Sequence, residues 1–228
     1  MSGWSTATLT QNDVVGPGLH RLKLDVASKV AHSFHVPGQY HRVRVPSGDD
    51  ATFAIASPPG DTTFEYLIRV FDGVAGEWTS LPVGAEVQVS LPDGPGFPLE
   101  EARGKNLLLI GVGTGFAPLR SVIHTVLRER SAWGRVSGAY GVMTPAHLAY
   151  GPELEPWAKA GVHITPTVTT GTPEWNGRVG LVQDVVRTLP VDDSVAFLVG
   201  QPEMTREVTD LLVGQGLPAG RAFLNFGR

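Results

Sequence analysis

Apolar positions follow two rhythms along the chain, and the change between them falls near residue 100. Before it, segments at Leu19 to Val26, Tyr40 to Val45, Phe64 to Phe71 and Glu86 to Leu91 tend to alternate, the period of a strand with one buried face. Turn chemistry separates them at Gly16-Pro17-Gly18, Pro37-Gly38, Ser47-Gly48-Asp49, Pro58-Pro59-Gly60 and Pro92-Asp93-Gly94-Pro95-Gly96. This spacing predicts an antiparallel barrel or sandwich over residues 1–100. After Gly104 the pattern changes to strand, helix, strand, helix, with strands at Leu107 to Ile110, an unbroken apolar run, and at Val136 to Tyr140, Val162 to Val168, Val195 to Val199 and Ala222 to Phe226. Helices are predicted between them near 117–130, 145–159, 180–188 and 202–215. Strands alternating with helices imply a five-stranded parallel sheet over residues 101–228, with Leu107 to Ile110 buried on both faces. The junction falls between Phe97 and Gly104, where the proline and glycine density ends.

Composition narrows the chemistry by exclusion. The chain has 228 residues, 42% apolar and 18% charged, which describes a globular protein, and no apolar run reaches the length of a bilayer span. The first residues, MSGWSTATLTQND, lack the charged start and apolar core of a secretory signal, so a cytoplasmic location without a membrane partner is expected. With no cysteine there is no disulfide, no thiolate nucleophile and no cysteine-ligated zinc or iron–sulfur cluster. A net charge of −4 without a basic run gives no footprint for nucleic acid. Histidines 20, 32, 35, 41, 124 and 163 have no ligand spacing, so no metal is expected, and no serine sits in a G-x-S-x-G elbow.

The most informative stretch is LLLIGVGTGFAPLRS, Leu107 to Ser121, where an apolar strand meets a glycine-rich turn and then a helix. Gly111, Gly113 and Gly115 lack a Cβ, so the backbone is free to take positive φ and a ligand can approach its N–H groups. Pro118 suits a first helical turn, and Leu119, Val122, Ile123, Val126 and Leu127 form the inward stripe. The free N–H groups and positive dipole at such a helix start attract an anion such as a pyrophosphate. A tight strand-to-helix turn without a ligand has the same glycines, since the spacing is not G-x-G-x-x-G.

With this order of elements, the chain resembles the ferredoxin–NADP reductase superfamily, in which a flavin-binding barrel precedes a Rossmann-like nicotinamide-nucleotide domain. Gly111 to Ser121 looks like the family's GGGTGIAPLRS, which cradles the pyrophosphate, and Gly200-Gln201-Pro202-Glu203-Met204 looks like its CGPPEM. Pro37 to Tyr40, PGQY, is similar to a family barrel segment, and AIASPP with the terminal Asn225-Phe226 is most similar to a subgroup first named from a plant fruit protein. The resemblance implies nicotinamide-nucleotide contacts from Gly113, Thr114, Gly115, Gly200, Gln201 and Met204.

Flavin contacts implied by the resemblance are Phe53, Ala54, Ile55, Ser57, Arg69, Gly76 and Thr79, with Phe226 over the flavin's outer face. The match departs from the family's R-x-Y-S: Ala51 stands for the diphosphate arginine, Phe53 for the tyrosine and Ala54 for the serine facing flavin N5. Arg69 is the candidate replacement cation, ahead of Arg42 and Arg44. Gly76-Glu77-Trp78-Thr79 matches the family's G-x-x-S, although an ordinary surface turn reads equally well. Val199 replaces the cysteine beside the nicotinamide, and the near-terminal glutamate is missing.

The implied activity is hydride transfer from NAD(P)H to FAD, with electrons passed to a separate acceptor that could be a protein; no catalytic side chain is assigned, because the chemistry belongs to the cofactors. NADH is preferred, since no arginine or lysine follows the second parallel strand until Lys159, and only His147 is near enough to assist a 2′-phosphate. That histidine reads more simply as a helix-surface residue. Trp133, Trp157 and Trp175 read as structural. The competing reading is a non-catalytic nucleotide-binding regulatory or scaffold protein with a degenerate flavin site, supported by Ala51 and Ala54.

Overall fold

The computed structural model describes residues 3–225; Phe226, assigned above to the last strand and to the flavin, lies outside the described residues. Six strands build the first half: β1 (Ser5–Gly16), β2 (Leu19–Val26), β3 (Tyr40–Arg44), β4 (Asp50–Ala54), β5 (Thr63–Arg69) and β6 (Glu86–Val89), with short helices α1 (Ser28–Ala31) and α2 (Val74–Ser80). They pair antiparallel in the order β4-β3-β6-β1-β2-β5. The sheet curls so that its two edges approach: the Ala56 N–H, just past β4, donates to the Glu65 carbonyl of β5 at 2.8 Å. Leu9, Leu22, Leu24, Val43, Phe64 and Trp78 fill the interior. One polar pair lies among them, the Tyr66 hydroxyl 2.6 Å from His41 Nε2.

Two of these strands lacked a clear sequence signal. In β1 the buried alternation at Ser5, Ala7 and Leu9 is broken by a register shift between Leu9 and Gln11, and Val14 is exposed, so the pattern dissolves after five residues. Strand β4 has five residues and lies at the edge. Helix α2 holds a glycine mid-length and starts at Gly73, whose φ of +79° requires glycine.

The second half contains β7 (Asn106–Val112), α3 (Ala117–Arg128), β8 (Val136–Val142), α4 (Gly151–Lys159), β9 (Val162–Val168), β10 (Arg178–Val179), α5 (Val182–Val186), β11 (Ser194–Val199), α6 (Pro202–Gly214) and β12 (Ala222–Leu224). The sheet is parallel, in the order β10-β9-β8-β7-β11-β12, so the five expected strands gain a two-residue edge strand, β10. Along β7, Leu107 and Leu109 face α3 while Leu108 and Ile110 face α5 and α6, which is why no polar residue interrupts the run. The helix expected over 145–159 begins instead at Gly151, after a single 3-10 turn at Pro145–His147. Pro152 cannot donate to a preceding turn and so fits only the first turn of α4. Leu119, Val122, Ile123 and Val126 of α3 are fully buried, each contributing about 1.5–3 kcal/mol. Trp133 and Trp157 are buried, and Trp175 is half-buried with its indole N–H donated to the Arg178 carbonyl at 3.0 Å.

The halves share one apolar cluster, to which Leu19, Ala56, Leu67, Phe97 and Leu99 of the first contribute beside Phe116, Ala117 and Leu119 of the second. A charged layer lies beside it. Arg120 of α3 reaches Glu65 of β5 at 3.3 Å and Glu153 of α4 at 2.9 Å, and Arg21 of β2 reaches the same two carboxylates at 3.5 and 3.2 Å. Glu65 and Glu153 raise the Arg120 pKa although burial, the largest single influence, opposes them. Burial likewise opposes the lowering of Glu153, which the His124 hydrogen bond and Arg120 bring about. The Ser121 hydroxyl donates to the Ser57 carbonyl at 2.7 Å, and Arg128 to the Pro59 carbonyl and to Asp61. Among the described residues no helix is long and apolar enough to cross a membrane.

Candidate functional site

Strands β7, β8 and β9 end side by side, and their carboxyl ends open into a cavity of about 470 Å³ that both halves line. Leu19 and Arg69 form its barrel wall; Val112, Gly113, Thr114, Gly141, Met143, His147, Leu181, Gln201 and Met204 belong to the other. Ligands of open α/β sheets bind at this end of the strands.

The glycines of the turn do different things. Gly113 has a φ of +53°, and a Cβ on it would meet nothing within 4 Å, so the peptide is turned toward open space. Gly111, Gly115 and Gly200 have ordinary φ. A Cβ on Gly111 would stand 2.8 Å from Leu119, on Gly115 3.1 Å from Val199, and on Gly200 2.0 Å from the Met204 methyl. Of the three turn glycines, Gly113 alone has positive φ with open space opposite the missing Cβ, whereas at Gly111 and Gly115 the missing Cβ lets α3 and β11 approach closely. Residues Gly113–Phe116 form a 3-10 turn that runs directly into the 12-residue α3. The first N–H groups of such a turn have no intrahelical acceptor, so the arrangement suits an anion on Gly113 and Thr114. Thr114, Gln201 and Met204 line the same cavity, whereas Gly200 opens onto a neighbouring one with Val199, Thr205 and Arg206.

The residues expected at a flavin divide into two sets. Arg69 is exposed at the end of β5, lines the cavity, and stacks over Phe71 at 5.3 Å. It forms no ion pair among the described residues. By contrast, Arg42 and Arg44 both engage Asp50 and both lie over Trp4. Phe53 is half-buried and meets Trp78 of α2 edge-on at 4.9 Å, and a Cβ on Gly76 would stand 2.5 Å from the Phe71 carbonyl. Of these, Arg69 lines the cavity; Phe53 packs on Trp78 and Gly76 on the Phe71 backbone, and Ala54, opposite Tyr40, ends β4. Three side chains are engaged inside the protein. Ile55 is fully buried in the barrel core; the Ser57 hydroxyl accepts the Glu65 N–H at 3.1 Å; and the Thr79 hydroxyl donates to the Ala75 and Gly76 carbonyls at 2.8 and 3.1 Å. Only their backbones remain for a ligand.

His147, read from sequence as a helix-surface residue, sits instead in the cavity wall, its Nδ1 2.8 Å from the Thr144 hydroxyl. Met143 and Leu181, each 53% exposed, flank the cavity and were missed. Their signal was exposure at strand ends, which composition does not display.

Residues 109–210 match the family described as the oxidoreductase NAD-binding domain. The chain is 31% identical over 207 residues to the fruit protein pKIWI502 of Actinidia deliciosa, covering 82% of this chain and 65% of that protein. It is 32% identical over 200 residues to the sulfhydrogenase 1 gamma subunit of Pyrococcus furiosus, covering 84% and 68%. The chain thus spans about two thirds of the length of these relatives. In fold it is similar to a ferredoxin NADP+ reductase of Neisseria gonorrhoeae solved with FAD and NADP, at a TM-score of 0.81 and 16% identity, covering 98% of this chain and 99% of that one. Barrel, parallel sheet, strand-end cavity and these likenesses agree: the chain belongs to the ferredoxin–NADP reductase superfamily of oxidoreductases.

Proposed function

We propose that this chain is an NADH-dependent flavin oxidoreductase that accepts hydride at FAD and passes electrons to a separate acceptor. The observation that carries the reading is the cavity between the halves, where a main-chain anion cradle at Gly113 and Thr114 faces an uncommitted cation, Arg69. The residues present fit both groups, the flavin by fewer contacts. The α3 start holds the pyrophosphate of the nicotinamide nucleotide by peptide N–H groups and dipole. Gln201 and Met204, at the start of α6, border its nicotinamide end. Arg69 holds the flavin diphosphate in place of the arginine that Ala51 replaces, and Phe53 supplies an apolar wall. When bound, the two cofactors supply the hydride chemistry; the protein aligns them and excludes water.

Among the described residues, Arg69 is the only arginine or lysine lining the cavity, and it belongs to the barrel wall. Met143 and His147 line its other wall, with no fixed cation among the described residues there to favour a 2′-phosphate, which supports NADH over NADPH. The residue range 1–100 for the flavin barrel and 101–228 for the nucleotide domain, and a cytoplasmic setting, belong to the same proposal. A second reading, a nucleotide-binding regulatory or scaffold protein, is favoured by one observation: Ile55, Ser57 and Thr79 spend their side chains inside the protein. Visible spectra of the protein, reconstituted with FAD and titrated anaerobically with NADH, decide between them. A yellow protein bleached by NADH supports the oxidoreductase; a colourless protein that binds NADH and refuses FAD overturns it in favour of the second reading.

A further inference from the structure

The buried Tyr66–His41 pair has no part in the nucleotide cavity, and a chain of aromatic rings joins it to the surface proposed for the flavin. Phe53, half-buried, meets Trp78 edge-on at 4.9 Å; Trp78 meets Tyr66 edge-on at 5.0 Å; Tyr66 stacks on His41 at 5.5 Å with an 11° tilt. Trp78 and Tyr66 are completely buried. The Tyr66 hydroxyl lies 2.6 Å from His41 Nε2, whereas Trp78 Nε1 is buried with no hydrogen-bond partner. Burial brings the His41 imidazole down to about 4, opposed by the Ser90 backbone, so at neutral pH its ring is an uncharged base. Burial also pushes the Tyr66 phenol well up, keeping its proton in place until the ring is oxidised.

We propose that Trp78, Tyr66 and His41 form a one-electron relay that supplies an electron from the barrel core to an oxidant at the Phe53 surface, the oxidant being an excited flavin or a peroxyl radical. Its placement beside flavin rests on the reading above; the relay itself does not. One electron leaves Trp78 for the oxidant. The oxidised indole has no base at Nε1, so it keeps its proton, remains a strong oxidant and takes one electron from Tyr66. As that electron leaves, the phenolic proton crosses to His41 Nε2. The oxidant is reduced by one electron, Trp78 is restored, Tyr66 becomes a neutral phenoxyl radical and His41 an imidazolium. An oxidant near the cofactor surface is thereby quenched and the radical is held away from solvent.

The absence of cysteine makes Ser80→Cys a unique attachment point, at an exposed position two residues from Trp78. The full chain, labelled there with a ruthenium polypyridyl photo-oxidant, is flashed and followed by transient absorption and electron paramagnetic resonance. A tryptophan radical that gives way to a tyrosyl radical is expected. In Tyr66→Phe the tyrosyl signal is lost and the tryptophan radical persists; in Trp78→Phe tyrosyl formation slows. His41→Gln retains a hydrogen-bond acceptor but no base, so it slows the same step, while circular dichroism checks that each variant is folded. A tyrosyl signal unchanged in Tyr66→Phe, or formed as fast without Trp78, overturns the relay. With FAD added to unlabelled protein, Trp78→Phe lengthens the fluorescence lifetime of bound flavin. An unchanged lifetime, with the labelled protein still relaying, overturns the flavin placement alone.

Discussion

The two walls of the cavity offer a ligand different kinds of group. On the parallel-sheet side the cradle is main chain: Gly113 turns a peptide outward and α3 adds its dipole, while the flanking side chains pack inward. On the barrel side the wall is made by the side chains of Leu19 and Arg69, and Arg69 is its cation. The interiors differ in the same sense, apolar around β7 and β11 but carrying a buried Tyr–His pair in the barrel. A wall made of peptide groups tolerates drift in its neighbours. A wall made of side chains depends on each one.

The largest expected effect comes from detaching the walls. Arg120→Ala leaves Arg21 as the one arginine shared by Glu65 and Glu153 in a nearly buried layer and is expected to lower stability by about 3–5 kcal/mol, read by urea denaturation; a loss under about 1 kcal/mol would mean the layer behaves as a solvated surface. Next, acid distinguishes the interiors. His41 is neutral when folded down to about pH 4 but takes up a proton when unfolded near 6.5, so stability falls as pH drops between those values, by about 3 kcal/mol in total. His41→Gln is expected to remove that slope; an unaltered slope assigns it to carboxylates.

Filling the open space over Gly113 attacks the main-chain wall. Gly113→Val is expected to weaken NADH binding by about 100-fold or more, about 2.7 kcal/mol, without changing FAD content, as measured by calorimetry and absorbance. Equal NADH affinity would remove the cradle. Arg69→Gln is the matching change on the side-chain wall: loss of a charge-assisted contact is expected to raise the Kd for FAD about 10- to 100-fold. The smallest effect is His147→Arg, which places a cation in the other wall of the cavity and is expected to improve NADPH relative to NADH about fivefold, the scale of one partly exposed ion pair, in paired steady-state assays.

These contrasts explain what could be read before the fold was known. The parallel strands were legible because both faces of β7 and β11 are covered, which forces continuous apolar runs, and the cradle was legible because a peptide turned outward demands glycine at Gly113. Strand β1 escaped because a bulge after Leu9 shifts its alternation. Sequence could not separate a glycine that faces open space from one that admits a neighbouring strand, since Gly113 and Gly115 differ in φ and in what stands opposite their missing Cβ, neither of which the motif displays. Nor could it show that Ser57 and Thr79 engage their hydroxyls internally, because the Ser57 partner is the Glu65 N–H across the closing edge of the barrel and the Thr79 partners are carbonyls of α2, a helix whose sequence reads equally as a turn.

Helix α3 starts at the anion cradle and, along the stripe Arg120, His124 and Arg128, touches the other half or the layer that joins it. One inserted residue within it would rotate everything downstream by about 100°, carrying these groups off the barrel while leaving the glycine motif intact. The number of residues between Gly113 and Arg128 is thus fixed by the junction of the two halves, and relatives of this fold are expected to keep it while their loops vary in length.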